Sequence, residues 1–95
     1  MRVISQDGTI DVPYELTSIQ LVSKTTIIAQ GSYFGSSSDD NYVTVAEYST
    51  EEKAQKALKM LQNDYYDHIA EKTYHEGTYY IRPYFRFPKD EEVEV

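Results

Sequence analysis

Hydrophobic and polar positions alternate with a period of two through the first half of this chain, then recur at three and four residues after position 50. Val3, Ile10 and Val12 flank a Gln6-Asp7-Gly8-Thr9 segment, and Asp-Gly between two β-prone runs is the strongest short-range hairpin signal. Pro13 lacks a ladder donor, so it ends the second strand or places it at an edge. Across 17–23, Ile19 and Leu21 alternate with polar neighbours, and 25–31 continues as Thr-Thr-Ile-Ile-Ala-Gln-Gly. These read as third and fourth strands joined by a short turn at Lys24. Gly35 to Asp40 runs Gly-Ser-Ser-Ser-Asp-Asp, a polar loop with no reason to pack. Tyr42 to Tyr48 reads as a fifth strand, with Val43 and Val45 on one face and Tyr42, Thr44, Ala46 and Tyr48 on the other.

The change of period marks a helix. Ser49-Thr50-Glu51-Glu52 fits a capping box with Ser49 as N-cap, and Ala54, Ala57, Leu58, Leu61, Tyr65 and Ile69 form one apolar stripe. Lys53, Lys56 and Lys59 fall toward the other side. The spacing predicts a helix from about Thr50 to about Glu71, roughly twice the usual mean length, with weaker last turns. Glu76-Gly77 supplies a turn, and Thr78 to Phe87 reads as a final strand interrupted by Pro83 and stopped by Pro88. The expectation is an α+β fold, ββββ-β-α-β, in which an antiparallel sheet of five to six strands carries one long helix packed across it. A single domain over 1–88 is followed by an acidic C-terminal tail, 89–95, expected to be solvated.

Ninety-five residues allow one domain with an economical core. The absence of cysteine excludes a disulfide framework and thiolate metal sites, and suits a reducing cytoplasm. No apolar run is long enough to cross a bilayer, and no charged-then-apolar leader opens the chain. The expectation is a small complete product located in the cytoplasm. Sixteen acidic residues against nine basic ones give a net charge of −7, so direct DNA or RNA binding is not expected. Ten tyrosines, three phenylalanines and no tryptophan are the compositional anomaly. Tyrosine suits interfaces and ligand walls as well as half-wet sheet faces, and this much aromatic area over a small sheet points to a homo-oligomer.

Three segments carry a resemblance: Met1 to Glu15 (MRVISQDGTIDVPYE), Ala46 to Leu61, and Phe85 to Pro88 with the acidic tail. Together they resemble a group of short proteins carried by phages and mobile elements of Firmicutes, over somewhat under half of the chain. The resemblance implies a phage-type origin and action inside a bacterial host cell. Small proteins in that setting often inhibit host defence, by blocking a partner or by sequestering a nucleotide signal. It brings no catalytic motif.

The most suggestive local chemistry lies in the last strand. Period two puts Tyr80, Arg82, Tyr84 and Arg86 on one face, and Tyr79, Ile81, Phe85 and Phe87 on the other. Two of the three arginines in the chain fall there. Guanidinium forks pair with phosphate and carboxylate, and tyrosine rings stack on bases, so this face suits a nucleotide-like ligand. The simpler reading is that Arg82 and Arg86 offset acids on a neighbouring strand.

His68 and His75 are not spaced as a metal pair, and no metal or cofactor site is expected. Asp39-Asp40, Glu51-Glu52 and Glu91-Glu92 each have a simpler role than acid–base work, because adjacent residues seldom face one another. No catalytic residue is assigned, since no nucleophile, base and orienting group occur together. The sequence therefore points to a non-enzymatic binding protein, toward a nucleotide-like ligand or a host defence protein. The alternative is a structural or regulatory self-assembling protein with no small-molecule ligand.

Overall fold

The computed structural model describes residues 1–31, 42–74 and 84–94, with helix side chains described up to position 67. The expected loop at Gly35 to Asp40, the turn at Glu76-Gly77 and the strand positions ahead of Tyr84 lie outside the described residues. Along the chain run β1 (Arg2–Ile4), β2 (Asp11–Pro13), a 3-10 turn (Tyr14–Leu16), β3 (Ser18–Val22) and β4 (Thr26–Gln30). Then come β5 (Tyr42–Glu47), α1 (Glu51–Tyr74), β6 (Tyr84–Arg86) and a second 3-10 turn (Asp90–Glu92). The fold class is α+β with one helix of 24 residues.

The described strands form two three-stranded sheets, ordered β2-β1-β6 and β3-β4-β5, in place of the single sheet expected. Pro13 supplies a physical reason. It ends β2 without a ladder donor, and the Thr17 hydroxyl closes the following 3-10 turn by donating to the Pro13 carbonyl at 2.8 Å. The redirected chain begins a new ladder at Ser18. Beside β1, the place a neighbouring strand would take is filled by β6, which runs parallel in the register Arg2↔Tyr84, Val3↔Phe85, Ile4↔Arg86.

Gln6 bridges the sheets. Its backbone N–H donates to the Val45 carbonyl at 2.7 Å, its Oε1 accepts from the Glu47 N–H at 3.1 Å, and its Nε2 donates to the Pro88 carbonyl at 3.2 Å. The Val45 carbonyl is available because β5 bulges there. The pairs Ile27↔Ala46 and Ile28↔Thr44 leave Val45 with no opposite residue. The bulge also breaks the expected alternation, so that Val45 and Ala46 are both buried, along with Tyr48.

Val3, Val12 and Phe85 line the inner face of the first sheet, and Ile27, Ala29 and Val45 belong to the same core from the second. Ala54, Ala57 and Leu61 bring α1 onto it, the two alanines allowing close approach of the backbone. Leu61 is fully buried, and its truncation to alanine costs on the order of 2–5 kcal/mol by cavity formation. Tyr65 extends the stripe, its ring centroid 4.2 Å from that of Tyr14. Burial, and next the Glu15 carboxylate, push the Tyr65 hydroxyl pKa upward.

The N-cap differs by one position from the expected box. Thr50 Oγ1 accepts from the Lys53 N–H at 3.2 Å, whereas Ser49 is taken by Asp90, whose carboxylate accepts from the Ser49 N–H at 2.7 Å and hydroxyl at 3.1 Å. Lys53 turns toward the same group, its Nζ donating to the Asp90 carbonyl at 3.0 Å and lying 3.4 Å from the carboxylate. The Ser49 N–H, above all, holds the Asp90 carboxyl below the usual range. The segment after Pro88 therefore docks instead of trailing in solvent. Val93 is buried in the core, and the Tyr48 hydroxyl donates to the Pro88 carbonyl at 2.7 Å. Burial first, then the Asp90 and Glu92 carboxylates, push the Tyr48 hydroxyl pKa well up.

Candidate functional site

The opening hairpin builds the ground on which the candidate site stands. Gly8 takes a φ of +80°, a conformation that glycine adopts without a Cβ penalty. Asp7 Oδ1 accepts from the Ser5 hydroxyl at 2.7 Å, from the Thr9 N–H at 3.0 Å and from the Thr9 hydroxyl at 2.7 Å. The Ser5 hydroxyl, first among these, lowers the Asp7 carboxyl from its ordinary value to about 2. Ser5 is itself buried and satisfied, its hydroxyl also accepting from the Ile10 N–H at 3.0 Å.

β6 lies alongside that hairpin through β1. Phe85 points inward, and its ring meets Phe87 edge to face at 5.2 Å. Alternation then turns Tyr84 and Arg86 outward, with Tyr84 43% exposed. Arg2 and Ile4 stand opposite them in the parallel register, on the same outer face. Arg2 pairs across the hairpin with Asp11 at 2.8 Å.

Arg86 is held differently. Its guanidinium lies over the Asp7-Gly8 turn, where a Cβ built on Gly8 would stand 3.3 Å from Nη2. Nη2 donates to the Gln6 carbonyl at 3.4 Å, a long hydrogen bond to a neutral acceptor. Among the described residues no carboxylate pairs with Arg86, while Arg82, for which the same simpler reading was expected, lies outside them. The remaining donors of the Arg86 fork can serve an anion. Arg86 also borders a shallow cavity of about 350 Å³ with Phe87, Pro88, Lys89 and Glu92. Within it, Glu92 Oε1 accepts from the Lys89 N–H at 2.8 Å.

The structure thus brings Tyr84 and Arg86 onto one exposed face, while Tyr80 and Arg82 lie outside the described residues. His75 and the side chain of His68 lie outside them too. Sequence reasoning missed the supports: Gln6 and Gly8 beneath the guanidinium, and Lys89 beside it. The Asp-Gly signal located Gly8, but nothing local indicated that position 86 would return to it. Among the described residues, no three His, Cys, Asp or Glu side chains converge as a metal site.

A second cavity of about 350 Å³ is lined by Gln6, Asp7, Thr44, Val45, Ala46 and Glu47, with acids in place of cations. A third, of about 290 Å³, lies among Lys56, Lys59, Met60 and Asn63 on α1. The first of the three is bordered by two cations, Arg86 and Lys89, and by one acid, Glu92. No helix among the described residues is long and apolar enough to cross a membrane. No family model, curated protein or solved structure matches the chain.

Proposed function

We propose that this chain is a small phage-type accessory protein that acts by binding, without catalysis, in the cytoplasm of a bacterial host. Its binding face is the outer side of β6, with Tyr84 as a stacking surface and Arg86 as the anion-pairing group. Tyr80 and Arg82 precede them at period two in the sequence and belong to the same proposed set. The ligand chemistry is a nucleotide-like anion, and the biological role is sequestration of such a signal or obstruction of a host defence protein. One observation carries the reading: Arg86 reaches the Gln6 carbonyl at the Gly8 turn, on the same exposed strand face as Tyr84, with the rest of its donor fork unpaired among the described residues.

The test is a thermal-shift and calorimetric panel of cyclic nucleotides and ADP-ribose-type compounds against the wild type and the Arg82→Ala/Arg86→Ala double variant. A ligand present at one hundred times its Kd adds about 2.7 kcal/mol of apparent stability, which is readily seen as a raised Tm. The double variant is expected to keep its fold and lose that shift. Silence across the whole panel would remove the nucleotide reading.

A second reading, self-assembly, has its own support. Leu16 is 71% and Tyr66 72% exposed, apolar area that a second copy would cover. This alternative, a structural or regulatory self-assembling protein, has no small-molecule ligand, and a stable oligomer in light scattering with a silent ligand panel would favour it.

A further inference from the structure

The cavity beside Arg86 is lined by Arg86, Phe87, Pro88, Lys89 and Glu92, with a volume of about 350 Å³. Its shape comes from the turn after Pro88, where Glu92 Oε1 accepts from the Lys89 N–H at 2.8 Å and folds the chain back on itself. Val93 in the core and the Asp90 carboxylate on the Ser49 N–H at 2.7 Å anchor that turn from behind. Three charged side chains are thus set on a rim open to solvent.

Each of the three keeps bonding capacity. Among the described residues Lys89 has no ion pair, and Arg86 has only its long bond to the Gln6 carbonyl. Glu92 uses one carboxylate oxygen on the Lys89 N–H, and its other oxygen has no donor among the described residues. An ionised carboxylate accepts and cannot donate, whereas the two cations donate and cannot accept. A ligand matched to this cavity therefore carries an anionic acceptor for Arg86 and Lys89, and a hydrogen-bond donor for Glu92.

Charge narrows the anion. Two cations and one acid leave the site at +1, so a singly charged group neutralises it, whereas a second negative charge would sit against Glu92 in a chain of net charge −7. A phosphodiester carries a single charge at neutral pH, and a diphosphate carries more. The donor narrows the rest. In a ribonucleotide diester the 2′-hydroxyl stands on the carbon next to the one that bears the 3′-phosphate oxygen, and an acidic side chain is a recurrent partner of that hydroxyl. Arg86 belongs both to this rim and to the exposed face of β6, where Tyr84 stands two residues away, about 7 Å along the strand. That spacing lets a base lie on the Tyr84 ring while its phosphate stays at Arg86.

We propose that this cavity selects a ribose phosphodiester, a single negative charge with a 2′-hydroxyl beside it, over a diphosphate or a deoxyribose ligand. Arg86 and Lys89 hold the phosphate, and Glu92 accepts from the 2′-hydroxyl. The inference rests on the nucleotide-binding reading above and names its ligand class, together with two residues, Lys89 and Glu92, that the reading does not use.

Isothermal titration of the full chain with 3′,5′-cyclic AMP, 3′,5′-cyclic GMP and a 3′,5′-linked cyclic dinucleotide, each beside its 2′-deoxy analogue, and with ADP-ribose, tests the selection. Whichever ribose diester binds is expected to do so about tenfold more tightly than its deoxy analogue and than ADP-ribose, the scale of one hydrogen bond to a charged group. Glu92→Gln keeps an acceptor for the Lys89 N–H but removes the charge, so it should narrow the ribose preference and tighten ADP-ribose by about tenfold. Lys89→Ala, at an exposed position, should weaken the ribose and deoxy diesters alike, with their ratio and the circular dichroism spectrum unchanged. Equal binding of ribose and deoxy forms, a wild-type preference for ADP-ribose, or ratios that Glu92→Gln leaves as they were would each overturn this selection and leave the nucleotide reading standing. Silence of every probe overturns the nucleotide reading and this inference with it.

Discussion

Replacing Gln6 by alanine tests whether one side chain ties the two sheets into a cooperative unit. The backbone bonds of residue 6 survive the change: its N–H still reaches Val45, and its carbonyl still accepts from Arg86. Two side-chain bonds are lost, from the Glu47 N–H at 3.1 Å and to the Pro88 carbonyl at 3.2 Å. A net contribution of about 0.5–1.5 kcal/mol each sets an upper figure of about 3 kcal/mol. Two features reduce it. The Glu47 contact is exposed, so water can replace the lost acceptor, and the Pro88 carbonyl keeps the Tyr48 hydroxyl at 2.7 Å.

The expected loss is therefore about 1–2 kcal/mol, or a Tm lowered by roughly 5–12 °C for a domain of this size. Urea unfolding followed by circular dichroism and by tyrosine fluorescence measures it. Both probes should shift together. Gln6→Glu keeps an acceptor toward Glu47 but replaces the donor toward Pro88, so it should lose at least as much. A Gln6→Ala variant within about 0.3 kcal/mol of the wild type would refute the bridge, since that is the size of an ordinary surface change.

Three further outcomes follow from the same contacts. Ser23 and Lys24 both hold positive φ, 51° and 69°, so Lys24→Gly should stabilise the chain by about 0.5–1 kcal/mol; Lys24→Ala, equally strained, should show no such gain in urea titration. Because the folded Asp7 carboxyl is lowered to about 2, its contribution is fully present above its ordinary value of 3.8 and is lost as pH falls from about 4 toward 2. The stability gap between wild type and Asp7→Asn should close over that window, and a gap unchanged down to pH 2 would contradict the assignment. Ser5→Ala strands the Ile10 N–H and should cost about 1–3 kcal/mol, read as a lower urea midpoint with an unchanged slope.

Local signals were legible where the structure is local. Asp7-Gly8 marked the first hairpin, the alternation around Ile19 and Leu21 marked β3, and the stripe through Ala54, Ala57 and Leu61 marked the buried side of α1. What the sequence could not show was decided by partners far along the chain. β6 pairs with β1 across some eighty positions, and parallel pairing leaves no turn to read. Ser49 and Thr50 are both good N-caps, and it is Asp90 that takes one and leaves the other. The bulge at Val45 overrides a strict alternation and leaves its carbonyl to Gln6, a partner far away in the chain. On the candidate face, Tyr84 and Arg86 were found from period two alone, while the Gly8 and Gln6 support beneath Arg86 became visible only in three dimensions.

The central claim is that the exposed β6 face binds an anionic, nucleotide-like ligand through Arg86. Isothermal titration of a ligand selected by thermal shift, on the wild type and on Arg86→Ala with an unchanged circular dichroism spectrum, tests it most directly. The account predicts saturable binding to the wild type and at least a tenfold loss in the variant, the scale of one charge-assisted pair. Equal affinity in both proteins would contradict it.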